Sequence, residues 1–328
     1  MADGVLVTGG AGYIGSHACK ALRQAGFLPV AFDNLSLGQA RFVTWGPLVE
    51  GDPRDPAAVT AALRAHRCVA VMHFAALSSV GESMREPWRY YDNNLGGLMG
   101  VLAGMRAANC DAIVFSSSAA VYGEPEIIPI PESAPPFPIN PYGQSKWFGE
   151  AMLSDHARAS GLRSIALRYF NAAGADPDGE VGEFRETETH LIPRALMALQ
   201  GWIDDFQVFG ADFATPDGTA IRDYVHVSDL ADAHVSALRR VLAMEGHEVF
   251  NIGTGKGWSV AEVMAAVNRA TGAEMAAPGG PRRLGDPAVL VADASLARRD
   301  LAFVPTRSDL ETIVRTAWNW HRLAHPRR

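Results

Sequence analysis

Eight residues near the start of the chain, Thr8-Gly9-Gly10-Ala11-Gly12-Tyr13-Ile14-Gly15, constrain the fold more than any other feature. They follow the apolar run Gly4–Thr8, which reads as a strand, and lead into 16–25, which reads as a helix. Glycine lets a backbone turn tightly and approach a pyrophosphate, and the N-terminus of the following helix offers amide donors and a partial positive charge. Such a triplet is also found in ordinary turns, so its surroundings decide. The next apolar run, Leu28–Asp33, ends in an acid eighteen residues after Gly15. An acid there accepts hydrogen bonds from an adenosine ribose and disfavours the extra phosphate of NADP. Strand, loop, helix, strand and acid in this order predict a dinucleotide site that prefers NAD and includes Gly9, Gly12, Gly15 and Asp33.

The same alternation continues along the N-terminal half. Further strands are expected at Leu48–Glu50, 69–74, Ala112–Ser116 and 164–169, with helices at 56–66 and 93–108 between them. Short apolar strands joined by helices predict a doubly wound, Rossmann-like α/β fold with a parallel sheet covered on both faces. Ligands in such sheets sit beyond the carboxyl ends of strands, so Phe74-Ala75-Ala76 and Ser116-Ser117-Ser118 should face one crevice. His73 beside them reads as a packed strand-end histidine. The stretch 124–141 holds seven prolines. It reads as a loop that delivers Tyr142 to a helix start.

Beyond about Asn171 the pattern loosens into loops rich in Gly, Asp and Glu (174–188, 210–218, 278–287). The expected division is a nucleotide-binding domain over 1–170 and a smaller, substrate-binding lobe over 171–328, with strands exchanged between them. With 328 residues and 48% hydrophobic content, the chain can bury its core without staples. The formal net charge of −7 argues against a nucleic-acid partner. Three widely spaced cysteines read as reduced thiols, no apolar run is long enough to span a membrane, and no signal peptide precedes the first strand, so a cytoplasmic protein is expected. The ten histidines are scattered, and His226/Asp229/His234 reads as a solvated surface set, so no metal is expected.

Tyr142 and Lys146 stand four residues apart at a helix start, on one helical face. Tyrosine is a poor base at its ordinary pKa near 10. A nearby ammonium and an oxidised nicotinamide both stabilise the phenolate and bring it towards working pH. Ser118 completes the set by holding a substrate hydroxyl as its proton moves. Alone, a Tyr-x-x-x-Lys pair is common surface chemistry. Behind a glycine loop and a Ser-rich strand end it reads as catalytic.

With these motifs, the chain resembles the extended short-chain dehydrogenase/reductase family, and within it the UDP-glucose 4-epimerases. The likeness runs nearly end to end, through Val80-Gly81-Glu82-Ser83, 90–94, 116–123, Arg168-Tyr169-Phe170-Asn171, 222–227 and 282–286. It implies interconversion of UDP-galactose and UDP-glucose through a 4-keto intermediate. Tyr142 would be the base, Lys146 its tuner and a ribose ligand, and Ser118 the hydroxyl partner. Tyr13, Ile14, Asp33, Asn34, Asp52, Phe74, Ala75, Ala76, Asn93 and Phe170 would line the NAD site. Asn171, His190, Leu191, Phe209, Arg222, Arg283, Asp286 and Leu290 would hold the UDP-sugar. Two arginines from separate loops suit a diphosphate, because guanidinium forks match phosphate oxygens.

The sequence departs from the family at several positions. Ser78 stands where members often carry a lysine near the pyrophosphate, Pro53 follows Asp52 in place of isoleucine, Ala120 replaces a threonine, and His190 an asparagine. Leu290 occupies a gating position where a large tyrosine goes with exclusion of N-acetylated sugars, so its smaller side chain implies turnover of UDP-GlcNAc and UDP-GalNAc. A sugar-nucleotide dehydratase would need carboxylates just after Ser118, and Ala119-Ala120-Val121-Tyr122 has none. A 4-epimerase of UDP-glucuronate or a UDP-pentose, or a non-catalytic NAD-sensing module, are the alternatives. The helices at 93–108 and 147–158 correspond to the family's dimer helices, which implies a homodimer. Their apolar faces fit intramolecular core equally well.

Overall fold

The computed structural model describes residues 2–275, 278–282 and 286–324. In chain order the elements are β1 (Gly4–Thr8), α1 (Tyr13–Gln24), β2 (Leu28–Asp33), β3 (Leu48–Glu50), α2 (Pro56–Ala65), β4 (Cys68–His73), α3 (Val80–Arg85), α4 (Pro87–Ala108), β5 (Ala112–Ser116), α5 (Pro141–Ser160), β6 (Arg163–Tyr169) and β7 (Asn171–Ala173). The chain continues with α6 (Leu191–Leu199), β8 (Val208–Phe209), β9 (Ile221–His226), α7 (Val227–Val241), β10 (His247–Ile252), β11 (Gly257–Ser259), α8 (Val260–Thr271), β12 (Gly279–Gly280), β13 (Val289–Leu290), α9 (Ser295–Asp300) and α10 (Leu310–Ala324).

Seven strands form a parallel sheet in the order β10-β6-β5-β4-β1-β2-β3. β1 and β5 are buried at every residue, as expected of apolar strands covered on both faces. On one face α1, α7 and α9 contribute Leu22, Leu230, Leu238 and Ala297 to the core. On the other, α2, α4 and α5 contribute Leu63, Leu102, Met105 and Leu153. From β1 the order runs one way to β3, and from β4 the other way to β6. The β1/β4 boundary is therefore the switch point where a ligand crevice opens.

Four details differ from the sequence expectation. Helix α1 begins at Tyr13 rather than 16, so the glycine loop ends at Gly12 and Tyr13-Ile14-Gly15 form the first turn. Helix α4 begins at Pro87, where a missing amide hydrogen costs nothing, rather than at 93. Strand β10 was not legible, because half of His247–Ile252 is polar, as an edge strand can be; it pairs in parallel with β6. His226, Asp229 and His234 are buried, not solvated. Asp229 accepts from Ser308 Oγ at 2.6 Å and Arg307 N at 2.8 Å, His226 Nδ1 accepts from Ser228 N at 3.1 Å, and His234 Nδ1 pairs with Leu230 O at 2.8 Å. They are core polar groups with partners of their own.

The later part of the chain builds a second, smaller sheet around β9. β11 is antiparallel to it, and β7 and β13 are parallel. Its core lies among α6, α8 and α10, with Ile192, Leu196, Val263, Val267 and Ile313. β9 runs directly into α7, which returns to the large sheet and packs with α1. The two sheets therefore share continuous elements rather than meeting across a linker.

Candidate active site

The glycine loop sits at the switch point. Gly9 has φ +74°, and a Cβ on Gly15 would come within 2.1 Å of Gly9 O, so neither position admits a side chain without rearrangement. No side chain caps α1 at Gly12, which leaves that end open to an anion. Asp33 Oδ2 accepts from Ala11 N at 3.0 Å and Oδ1 from Leu35 N at 2.9 Å, tying the acid to the loop it serves. Burial raises its pKa, and those two amides oppose the shift. Phe74 N and Ala75 N both donate to Thr8 O, which lays 74–76 against Gly9. The Phe74 ring packs on His234, with centroids 4.6 Å apart, so its contact with the glycine loop is through main chain. These features fit a dinucleotide: a side-chain-free loop, an uncapped helix end and a tethered acid at the end of β2.

Asn34, Asp52 and Asn93 do not line the crevice. Asn34 Nδ2 donates to Asp52 Oδ2 at 3.4 Å, and Arg54 bridges Asp52 (2.7 Å) to Asp92 (2.6 Å). Arg54 holds the Asp52 carboxyl down at about 2. Asn93 Nδ2 donates to Asn94 Oδ1 at 3.0 Å. A Cβ on Gly100 would meet Pro53 O at 2.2 Å, so the proline-bearing loop packs tightly on α4.

Helix α5 carries the reactive pair. Asn140 caps it, its side chain accepting from Gly143 N at 2.8 Å, and Pro141 occupies the first turn. A Cβ on Gly143 would approach Ala120 O to 2.4 Å, so glycine there lets the helix close on the turn after β5. That approach brings Tyr142 and Ser118 together on one wall of the site. Burial raises the Tyr142 pKa, and Ser118 and then Arg185 oppose it. Lys146 is buried; its Nζ donates to Ser116 O at 2.7 Å and lies 5.8 Å from the Tyr142 ring centroid. Burial lowers its pKa to about 7, with Glu150 pulling the other way. His73 is packed as expected, paired with Thr8 Oγ1 at 2.7 Å and stacked on Phe115.

A crevice of about 830 Å³ opens over this pair. Of the expected residues, Tyr13, Ile14, Ser118, Tyr142, Phe170, Asn171, His190, Leu191, Phe209, Arg222, Asp286 and Leu290 line it together. Register explains part of the convergence: Leu290 on β13 lies opposite Arg222 on β9, and Asn171 on β7 opposite Tyr224. Arg222 Nη2 is paired with Asp286 and donates to Pro287 O at 2.7 Å. Arg283 lies outside the described residues.

Three lining residues carried no signal of their own in the sequence. Tyr169 shares a hydrogen bond with Ser116 beside the pair, and Glu183 and Arg185 come from the loop before α6. Glu183 Oε1 pairs with His190 Nδ1 at 2.7 Å and accepts from Arg185 Nε at 3.2 Å. Glu188 lies 3.4 Å from His190 Nδ1. The carboxylates raise the His190 pKa against the opposing effect of burial. Glu183, Glu188 and His190 also have the composition of a metal site, but both carboxylates already pair with His190.

The model of the NAD dependent epimerase/dehydratase family matches residues 5–253. The chain belongs to that family. The family match spans the whole nucleotide-binding sheet, including β10, and carries over into β9. A UDP-glucose 4-epimerase of Rhizobium leguminosarum bv. trifolii is 47% identical over 317 residues, 97% of each chain. The crystal structure of UDP-glucose 4-epimerase from Brucella ovis in complex with NAD superposes with TM-score 0.92 at 50% identity, over 97% of this chain and 98% of that one. The enzyme from Stenotrophomonas maltophila, with bound NAD and formylated UDP-arabinopyranose, gives TM-score 0.94 at 42% identity over 98% of both chains.

Proposed function

We propose that this chain is an NAD-dependent UDP-glucose 4-epimerase, interconverting UDP-glucose and UDP-galactose by transient oxidation at C4. One observation carries the reading: Tyr142 and Ser118 stand together on the wall of the crevice, with buried Lys146 one helical turn behind. NAD, when bound, supplies a reversible acceptor of hydride from C4. Ser118 holds the C4 hydroxyl and Tyr142 takes its proton. Burial opposes the phenolate, so Lys146 and the positive charge of the oxidised coenzyme must both favour it. Asn171, Leu191, Phe209, Arg222 and Asp286 hold the UDP, with Arg283 assigned by resemblance. The 4-keto sugar would turn over while UDP stays anchored, so that C4 takes hydride back on its other face and Tyr142 returns the proton to the C4 oxygen. No further reactant is consumed.

In this reading residues 1–170 form the NAD half and 171–328 mainly the UDP-sugar lobe, which lends α7 and β10 back to the large sheet. The chain works as a homodimer through α4 and α5, whose exposed Met99 and Phe148 support the assignment. Sedimentation at the mass of one 35.1 kDa chain would refute the dimer. Three unpaired cysteines support the cytoplasm.

The test is product analysis with UDP-galactose, beside Tyr142→Phe. The variant should lose on the order of 10²–10⁴ in kcat while keeping bound NAD and UDP affinity. Wild-type turnover by the variant would refute Tyr142 as base. Conversion of a UDP-pentose or UDP-glucuronate but not UDP-galactose would move the enzyme to another sugar.

A further inference from the structure

Arg185 is a cation in the crevice that the motifs do not account for. It comes from the loop before α6, yet Nη1 reaches Ser78 Oγ at 3.3 Å, in the loop that follows β4 at the switch point. Nε donates to Glu183 Oε1 at 3.2 Å. For Nη2 the structure records no hydrogen-bond partner among the described residues, and the side chain is 31% exposed towards the crevice. Arg168 and Arg222 differ: all their guanidinium nitrogens but Nε of Arg222 are engaged with protein groups.

The surroundings of Arg185 locate it along the dinucleotide. Its charge acts on Tyr13, in the first turn of α1, and also on Tyr142 and Tyr169. Tyr13, Ser78, Tyr142 and Arg185 line the one crevice, so Arg185 borders the gap that holds both the anion-ready helix end and the reactive phenol. A dinucleotide with its adenosine at Asp33 and its nicotinamide at Tyr142 has to pass its diphosphate through this gap. Releasing part of the guanidinium to a ligand leaves no orphan, because His190 still holds Glu183 at 2.7 Å.

We infer that Arg185 binds the diphosphate of NAD, reaching across the crevice from the UDP-sugar lobe. The inference rests on the reading that this chain holds NAD. A guanidinium matches two phosphate oxygens at once, and a diphosphate is the ligand that uses a half-free fork beside a helix N-terminus. The contact also ties cofactor retention to the lobe that carries the substrate site.

The test compares wild type, Arg185→Gln and Arg185→Gln/Ser78→Lys, purified with NAD present. NAD released on denaturation gives occupancy, and calorimetry on NAD-stripped protein gives the Kd for NAD and separately for UDP. Arg185→Gln should weaken NAD by about tenfold to a hundredfold, as for loss of a charge-assisted hydrogen bond. UDP affinity should hold within about twofold, which also shows that the variant is folded. Because residue 78 already touches Nη1, a lysine there can place an ammonium in the same gap, and the double variant should regain most of the NAD affinity. Unchanged NAD affinity in Arg185→Gln overturns the inference, and so does a loss confined to UDP, which would put Arg185 on the substrate diphosphate. A wild-type protein that binds no NAD sinks the underlying reading instead.

Discussion

Tyr142 sits in a contradiction that the site must resolve. The burial that lets it meet a sugar hydroxyl without water also raises its pKa, and Lys146, itself pushed down to about 7, is only partly an ammonium near neutrality. In the proposed reading the charge of the oxidised coenzyme offsets that burial. Leu290 acts at the same scale. It lines the crevice opposite Arg222, and its side chain leaves room that a tyrosine would fill. The enzyme should therefore turn over UDP-GlcNAc. Leu290→Tyr should cut kcat/KM for UDP-GlcNAc about tenfold or more and change that for UDP-galactose far less. No turnover of UDP-GlcNAc by the wild type at millimolar concentration disposes of this.

At the scale of elements, α5 has to be held in place on the sheet while its first turns do chemistry. A buried network does this. Arg168 on β6 donates from Nε to Glu150 on α5 at 2.9 Å and 3.1 Å, and from Nη1 to Tyr122 OH at 2.9 Å. Tyr122 in turn donates to Asn251 on β10 at 2.7 Å. Glu150 lies one turn after Lys146, so the pair fixes the helix face that carries the site. Arg168→Met would strand a buried carboxylate, and should cost about 3–5 kcal/mol in denaturant unfolding. Arg168→Met/Glu150→Gln should recover part of that loss. A single variant as stable as wild type would show that the network does not hold α5.

For the whole molecule, the notable feature is its store of buried neutral histidines. Burial lowers His17, His226 and His234 to about 4 and His73 to about 3, against an unfolded value near 6.5. Between those values the unfolded chain binds protons that the folded chain refuses, so stability falls as pH drops from about 6.5 towards 4. Four such groups give a slope of up to about 5 kcal/mol per pH unit where all act together. His190, raised by its carboxylates, and the buried carboxyls Asp33 and Asp223, raised by burial, work in the opposite sense, while His247, also lowered by burial, adds to the fall. The thermal midpoint should therefore fall steeply between pH 6.5 and 4.5. A flat midpoint over that range would contradict the burial of these rings, and His234→Phe should reduce the fall.

Much of this was legible in the chain because it is local. The glycine loop, Asp33 and the Tyr142–Lys146 spacing are set by short-range backbone geometry, and the strands β1, β2, β3 and β5 by uninterrupted apolar runs, so sequence alone determined the nucleotide-binding fold and the reactive pair. What depended on packing was not legible. β10 joins the sheet although half its side chains are polar, because an edge strand is chosen by its neighbour β6. Burial of His226 followed from the approach of α10, whose Thr316 Oγ1 lies 3.0 Å from its Nε2, and that of His234 from packing on Phe74 and Tyr169. Arg185 meets Ser78 across 107 positions of chain, a separation over which no local pattern acts. Local geometry repeats wherever its residues recur, but the partner of a charge and the depth of a histidine are fixed only once distant segments share one interior.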